Sequence, residues 1–228
     1  MNVLVTAGNT QTPLDQVRCI TNIFTGRTGA QVAARAFDAG HRVTLLTSHP
    51  EALDGIPPGR PRAEPDWRVR GYRTFDDLES LMAAEITRGG YDLIVHAAAV
   101  SDFHVAGVFT HAGGQFTDAS AGKVKSSHPE LWVKLVQAPK LVDKVRAEWG
   151  FGGTLVKFKL EVGVTDAELE AIAERSRVHS RADLMVANTL EGRHEWAIVG
   201  AGAGGYARVS RAELAARLLD AVAAVRGG

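Results

Sequence analysis

Short apolar runs that alternate with segments of helical spacing constrain the fold of this chain more than any other feature. The first three runs cover 3–8, 41–48 and 91–100 and are rich in β-branched and leucine residues. Between them, residues 29–40 and 75–90 have the period of helices that end at glycine. This order favours a parallel sheet with helices on both faces. The sequence therefore predicts an α/β fold with a Rossmann-like, doubly wound, mostly parallel sheet.

The second half continues the alternation, and each half contains one long irregular segment. Capping boxes at 165–168 and 210–213 mark two helix starts. Residues 9–22 and 103–128 show no clear period and are predicted to be long loops. The further predicted elements are strands at 68–74, 131–138, 154–163 and 183–189, an edge hairpin at 197–210, and helices at 140–150, 166–181 and 211–226.

Length and composition exclude several classes of protein. The 228 residues, 45% of them hydrophobic, suit one domain over 1–228 with a full core. Basic and acidic residues balance at 26 each, so charge gives no reason to expect nucleic acid or a membrane as a partner. A single cysteine, Cys19, excludes an internal disulfide and favours a reducing cytoplasm. The start has no basic leader, and no apolar run approaches the roughly 20 residues that span a bilayer.

Glycines at the end of the first strand and the start of the first helix are typical of a phosphate site. Gly8 ends the strand, and Gly26, Arg27 and Gly29 open the helix. Free N–H groups and the helix dipole favour an anion there, and an arginine can hold phosphate through two hydrogen bonds. The spacing matches neither G-x-G-x-x-G nor G-x-x-x-x-G-K-[ST]. Glycines that serve only the turn and the helix start explain the pattern equally well.

The same stretch carries a resemblance to a known family. VLVTAGNTQTPLDQVRCITNIFTGRTGAQVA, at 3–33, resembles the opening of phosphopantothenate–cysteine ligases, V-T-x-G-G-T-x-x-P-[IL]-D-x-V-R-x-[IL]-x-N-x-S-S-G-[KR]-x-G. Further matching blocks follow in the same order along the chain: AAAVSDF at 97–103, KVKSS at 123–127, LVQAPKLV at 135–142, VKFKLE at 156–161 and DLMVANT at 183–189.

The resemblance implies a two-step ligation in coenzyme A synthesis. CTP or ATP, accompanied by Mg²⁺, would convert the carboxylate of 4′-phosphopantothenate to an acyl-nucleotidylate and release pyrophosphate. The amine of cysteine would then displace the nucleoside monophosphate. Because the chain begins at the first ligase strand, a stand-alone form without the flavin decarboxylase domain is expected, with no FMN. No metal ligand in the protein is predicted.

Five residues match the reacting part of the family's site. Asn22 matches the catalytic asparagine, whose amide would stabilise the oxyanion of the acyl-transfer step. Loss of one such donor typically costs about 10²–10³ in rate. Lys123 matches the catalytic lysine, Asp102 a nucleotide contact just past a strand end, and Ala98 and Ala99 small positions against nucleotide and substrate. The alternatives are a turn residue for Asn22, a solvated lysine, and a loop or cap carboxylate for Asp102.

Other matched positions would line the nucleotide. Phe158 aligns with an aromatic residue that packs on the nucleoside, although a strand phenylalanine equally suits the core. The remaining predicted nucleotide contacts are Asn188, Pro139, Lys140, Leu141 and Val142.

Departures from the family pattern leave the nucleotide and the substrate open. Members that use CTP usually carry two lysines where this chain has Ser176 and Ser180. The family's G-G-T is G-N-T here, its S-S-G is Phe24-Thr25-Gly26, and its A-N-D is Ala187-Asn188-Thr189. CTP and ATP both stay open, as does a nucleotide-binding paralogue with an altered substrate or no turnover.

An NAD(P)-dependent oxidoreductase is the alternative from another enzyme class. The predicted strand order permits it, but the first turn lacks G-x-G-x-x-G and the second strand does not end at an acid. The ligase resemblance also implies a homodimer in which a small antiparallel extension joins the subunits. The strand at 131–138, with Trp132, suits such an interface and equally suits a core-facing strand.

Overall fold

A computed structural model describes residues 1–227 of the chain. The strands are β1 (Asn2–Ala7), β2 (Gln11–Pro13), β3 (Cys19–Thr21), β4 (Arg42–Thr47), β5 (Trp67–Gly71), β6 (Leu93–His96), β7 (Phe103–Ala112), β8 (Gln115–Asp118), β9 (Trp132–Gln137), β10 (Thr154–Glu161), β11 (Leu184–Thr189), β12 (Trp196–Gly200) and β13 (Tyr206–Ser210). The α-helices are α1 (Arg27–Asp38), α2 (Phe75–Arg88), α3 (Leu141–Ala147), α4 (Asp166–His179) and α5 (Leu214–Gly227).

Eight of the strands form one central sheet in the order β13-β12-β11-β10-β6-β1-β4-β5. The six strands from β11 to β5 run parallel, and β12 and β13 form an antiparallel hairpin at the edge. Numbered along the chain, the parallel strands lie in the order 3-2-1-4-5-6, which is that of a doubly wound nucleotide-binding sheet. The predicted fold class and edge hairpin are confirmed. The strand order reverses between β1 and β6, which makes their carboxyl ends the topological switch point.

The sheet is buried on both faces, which explains its unbroken apolar runs. Val3 and Val5 of β1 belong to a core that includes Phe37 of α1 and residues of α5. Leu4 faces the other way, into a core with Met82 of α2 and residues of α3. A third, smaller cluster packs α4 against β11 and β12. Helices therefore cover both faces, as expected for a parallel sheet.

Two segments predicted to be loops contain strands instead, so that part of the prediction is wrong. Within 9–22, β2 and β3 form a hairpin. Within 103–128, β7 and β8 join β9 in a three-stranded antiparallel sheet, the small extension that the fold prediction included. The strand at 131–138 is confirmed as β9. These strands were missed because β2 and β3 are only three residues long each, and because β7 pairs with β9 outside its segment in a register that shifts between Val105 and Gly107.

Capping residues in the sequence predicted helix starts more accurately than the residue pattern predicted these strands. Thr165 and Glu168 form the expected capping box at the start of α4, and Thr74 with Asp77 forms another at α2. Strand β6 ends at His96, so residues 97–100 form a connection and not the end of the predicted strand.

Three further findings concern the residues that the structure describes. No helix among them is long and apolar enough to cross a membrane. No group of three or more histidine, cysteine, aspartate or glutamate side chains could hold a metal ion within this part of the chain. Cys19 is exposed and its thiol is free, and the reducing compartment expected from it stays a prediction.

Candidate active site

The start of α1 lies directly against the end of β1, and glycine makes this contact fit. Gly26, at the N-cap of α1, has a φ of 77°, and a Cβ atom there would lie 2.0 Å from the Gly8 nitrogen. A Cβ atom at Gly29 would lie 2.7 Å from the Ala7 Cβ. Side chains at these positions would push the helix away from the strand. The glycines thus have a structural role, and phosphate binding by them and by the exposed Arg27 stays a prediction.

Asn22 lies over the connection that follows β6. Its Nδ2 donates to the Ala99 carbonyl at 3.1 Å, while the Ala99 N–H donates to the Gly8 carbonyl at 2.8 Å. Asn22 is exposed, and Ala98 and Ala99 are half-buried. Five of the predicted site residues, Gly8, Gly26, Asn22, Ala98 and Ala99, therefore meet at the switch point between β1 and β6.

Asp102, in the connection after β6, forms an ion pair with Lys140, which comes just before α3. The Ala138 N–H donates to the Asp102 carbonyl at 2.9 Å, which brings the connection before α3, including Pro139, beside the loop after β6. Both charged side chains are more than half exposed, so water screens the pair and a ligand can reach it. The side chains of the predicted contacts Leu141 and Val142 are buried in the core, which leaves only their backbone to face a ligand.

The turn of the β2–β3 hairpin holds the segment that contains Lys123. This lysine is exposed in the segment between β8 and β9, and the backbone on each side of it contacts the hairpin turn. The Val124 N–H donates to Asp15 at 3.0 Å, and Arg18 donates to the Val124 carbonyl at 2.6 Å. Hydrogen bonds from Arg18 and from backbone N–H groups hold the pKa of Asp15 well below its usual range. The hairpin that ends just before Asn22 thus also carries the Lys123 segment.

Phe158 and Asn188 share the face of the sheet that packs against α1 and α5. Phe158 is half-buried against that core together with Ala97. It lies opposite Val186, so Asn188, two residues further along β11, points to the same side. The Asn188 amide donates to the Thr189 carbonyl at 3.2 Å. Phe158 therefore makes the core contacts that its strand position suggested, and stacking on a nucleoside stays a prediction.

A line of polar residues across the other face was missed by the sequence analysis. Thr6, His96 and Lys157 are register partners on β1, β6 and β10. The Thr6 Oγ1 and His96 Nδ1 lie 2.9 Å apart. Burial lowers the pKa of His96 to about 4, with a smaller effect from the Lys157 charge, so the ring is neutral at pH 7. Only the register of the parallel strands brings these residues together.

The Lys157 ammonium lies beside Ser176 and Ser180, the two positions at which the family pattern led us to expect lysines. Its Nζ is 3.3 Å from the Ser176 carbonyl and 3.4 Å from the Ser180 Oγ. No carboxylate of the described residues lies within 4.0 Å of it, and burial lowers its pKa. A partly buried cation on β10 therefore stands beside the two serines of α4.

Neither of two sizeable cavities in the structure identifies the candidate site. A cavity of about 570 Å³ lies at the amino ends of the strands, away from the switch point, beside Gly153 and Arg226. Another of about 530 Å³ lies beyond the ends of β4 and β5, beside Ser48 and Arg73. We place the candidate site at the switch point because ligands of open α/β sheets bind there.

Comparison with known proteins decides the family. Residues 1–225 match the family described as DNA/pantothenate metabolism flavoprotein C-terminal domain. The chain belongs to this family. The resemblance drawn from the sequence motifs is confirmed at that level.

Relatives of this flavoprotein C-terminal domain family include the coenzyme A biosynthesis bifunctional proteins CoaBC. The protein from Thermococcus kodakarensis is 33% identical over 225 residues, which cover 96% of this chain and 50% of that protein. The one from Escherichia coli is 29% identical over 190 residues, 83% of this chain and 41% of that protein. This chain thus spans about half the length, or less, of these relatives.

Two solved structures superpose over nearly the whole chain. The DNA/pantothenate metabolism flavoprotein from Streptococcus pneumoniae is 28% identical with a TM-score of 0.81, covering 98% of this chain and 99% of that one. A Cab2 variant in complex with phosphopantothenate-cysteine has a TM-score of 0.74 at 18% identity, covering 99% and 86%. The second likeness concerns the fold alone.

Proposed function

We propose that this chain ligates 4′-phosphopantothenate to cysteine through an acyl-nucleotidylate. The observation that carries the proposal is the Asn22 amide held over Ala99 at the switch point of a sheet whose family match covers 1–225. Relatives named coenzyme A biosynthesis proteins support it. The chain covers half or less of those proteins, so the activity is proposed for this part of them.

The reaction divides into two steps with different demands. In the first step, a carboxylate oxygen of phosphopantothenate attacks the α-phosphorus of the triphosphate, and pyrophosphate leaves. The Lys123 ammonium offsets the charge that builds on the phosphates. In the second step, the cysteine amine attacks the acyl carbon, and the nucleoside monophosphate leaves as the amide forms. The Asn22 Nδ2 donates to the oxyanion of that tetrahedral intermediate.

We further propose that CTP or ATP enters with Mg²⁺ bound to its phosphates. Mg²⁺ is usually held by one or two carboxylates together with substrate phosphates. Asp102, an exposed carboxylate at this edge of the sheet, suits that arrangement. The Lys157 ammonium lies beside Ser176 and Ser180 and can donate hydrogen bonds. An anionic or carbonyl-bearing part of the nucleotide would therefore bind next to it.

A step-resolved assay tests the proposal. Pyrophosphate release and amide formation are measured with phosphopantothenate, cysteine and CTP or ATP in turn. Asn22→Ala should still release pyrophosphate but form amide about 10²–10³ times more slowly, because it loses one oxyanion donor. Lys123→Ala should slow pyrophosphate release itself, whereas Lys125→Ala, an exposed lysine of the same segment, should not. Wild-type kinetics in both site variants would contradict the assignment, and nucleotide binding without pyrophosphate release would favour a paralogue without turnover.

We also propose that the sheet of β7, β8 and β9 joins two copies of the chain. All six residues of β9 are exposed, and β9 is an edge strand with free backbone groups. Phe116 and Trp132 pack together with a ring-centroid distance of 5.4 Å yet are 58% and 46% exposed. Such an apolar patch is typical of an interface.

Analytical ultracentrifugation tests the dimer. Trp132→Glu should shift the wild-type dimer to a monomer because it places a charge in the centre of the patch. Val178→Glu, at an exposed apolar position on α4, should leave the dimer unchanged. A wild-type monomer, or a dimer that Trp132→Glu does not weaken, would refute this interface.

A further inference from the structure

A buried amide side chain, Asn9, links the end of β1 to the backbone of Asn22. Asn9 is 5% exposed. Its Nδ2 donates to the Asn22 carbonyl at 2.6 Å. The carbonyl can only accept a hydrogen bond, so the nitrogen of the Asn9 amide must face it. The Asn9 Oδ1 consequently faces the other way.

That oxygen faces two side chains of the connection after β4. The Ser48 hydroxyl donates to the Asn9 Oδ1 at 3.4 Å, and the His49 Nε2 lies 3.3 Å from it. The Asn9 N–H in turn donates to the Ser48 Oγ at 2.9 Å. Both ends of the Asn9 amide are thus engaged, and its orientation is determined.

His49 extends the chain of hydrogen bonds to a carboxylate. Its Nδ1 lies 2.7 Å from Glu51 Oε1, and this hydrogen bond lowers the pKa of Glu51. Both ring nitrogens of His49 therefore face oxygen atoms that can accept a hydrogen bond. The result is a continuous path from Glu51 through His49 and Asn9 to the backbone of Asn22.

The path ends where regular structure is absent. Residues 22–26 lie between β3 and α1 and belong to neither element. The Asn22 side chain reaches Ala99, and its carbonyl is held by Asn9. Both the backbone and the side chain of Asn22 are therefore held by hydrogen bonds, which determines where its amide points.

We propose that Asn9, held by His49 and Glu51, is a positioning residue that aims the Asn22 amide for the amide-forming step. This inference rests on the proposed function. Asn9 stands where the family pattern has the second glycine of G-G-T, and a glycine there has no side chain to reach Asn22. This positioning contact between Asn9 and Asn22 is thus specific to sequences with the substitution.

Asn9→Asp is the central test because it keeps the shape and removes the donor to Asn22. It should slow amide formation about 5–10-fold, the typical loss of one hydrogen bond, with pyrophosphate release and the KM for cysteine unchanged. His49→Leu should act in the same direction. His49→Gln, which keeps an N–H donor toward Asn9, should restore most of the rate.

A double variant separates this inference from the proposed function. In Asn22→Ala, the further change Asn9→Asp should have no effect, because the group it positions is gone. If Asn22→Ala slows amide formation but Asn9→Asp does not, the inference fails and the proposed function stands. If Asn22→Ala has no effect, the proposed function fails.

A control on the same hairpin tests for general loosening. Thr12→Val removes a hydroxyl that donates to the Phe103 carbonyl at 3.3 Å, and it should leave both steps at wild-type rates. An equal loss of amide formation in Thr12→Val would overturn the positioning role.

Discussion

The two sides of the switch point are built in different ways. On the β1 side, backbone meets backbone: the start of α1 rests on Gly8, and hydrogen bonds tie the segments around Gly8, Asn22 and Ala99 together. On the β6 side lie charged side chains: Asp102, in the connection after β6, pairs with Lys140, and Lys157 of β10 reaches Ser176 of α4. The first side depends on close approach and the second on charge. Substitution of the glycines on the first side should therefore damage the fold, whereas substitution of Asp102 on the second should change function.

The largest effect is expected from Gly26→Ala on the backbone side. A left-handed φ costs a non-glycine residue about 1–2 kcal/mol, and the new Cβ would also overlap the Gly8 backbone. We expect a total loss of about 3 kcal/mol or more in the free energy of unfolding, measured by urea denaturation. Gly40→Ala is the matched control, since Gly40 has a φ of 88° but nothing within 4 Å of its added Cβ. Equal losses in both would show that the close contact is unimportant.

The second effect concerns acid and the buried His96. Its folded pKa of about 4 lies below the ordinary 6.5, so the unfolded chain binds the proton more readily. Stability should therefore fall as the pH drops from about 6.5 to 4, by up to about 3 kcal/mol. His96→Gln should flatten this part of the curve of unfolding free energy against pH. An unchanged slope in the variant would mean that other groups cause the acid loss.

A smaller effect, of opposite sign, is expected for Lys157→Met. The folded state holds an ammonium in a half-buried place, and burial lowers its pKa, so the charge costs stability at pH 7. The variant should melt slightly higher, by less than about 2 °C, because water still screens part of the charge. Lys159→Met, on the same strand but paired with Glu161, should bring no such gain. A lower melting temperature in Lys157→Met would contradict this account.

The smallest stability change is expected for Asp102→Asn on the charged side. Its ion pair with Lys140 is exposed and should contribute less than about 0.5 kcal/mol. The proposed function instead predicts weaker nucleotide use, seen as a higher KM for the triphosphate. Unchanged kinetics with unchanged stability would remove Asp102 from the proposed site.

Sequence reasoning succeeded where the signal is local or repeated. The capping box at Thr165 and Glu168 and the apolar runs of the central strands were predicted and confirmed. It failed for β7 and β8, whose stability depends on pairing with one another and with β9. The candidate site divides in the same way: motif matches named Asn22 and Asp102, but nothing local connected Asn9 with His49, 40 residues away.

The amino-acid sequence by itself determined the doubly wound sheet, because an alternation of buried strands and amphipathic helices leaves few ways to bury both faces. It also determined the family and the residue types available for chemistry. Only the tertiary structure decided which of them meet. Contacts such as Asn9 with Asn22 and Lys157 with Ser180 depend on strand register and on where the β2–β3 hairpin lies. Register is a property of paired strands, and no single stretch of sequence contains it.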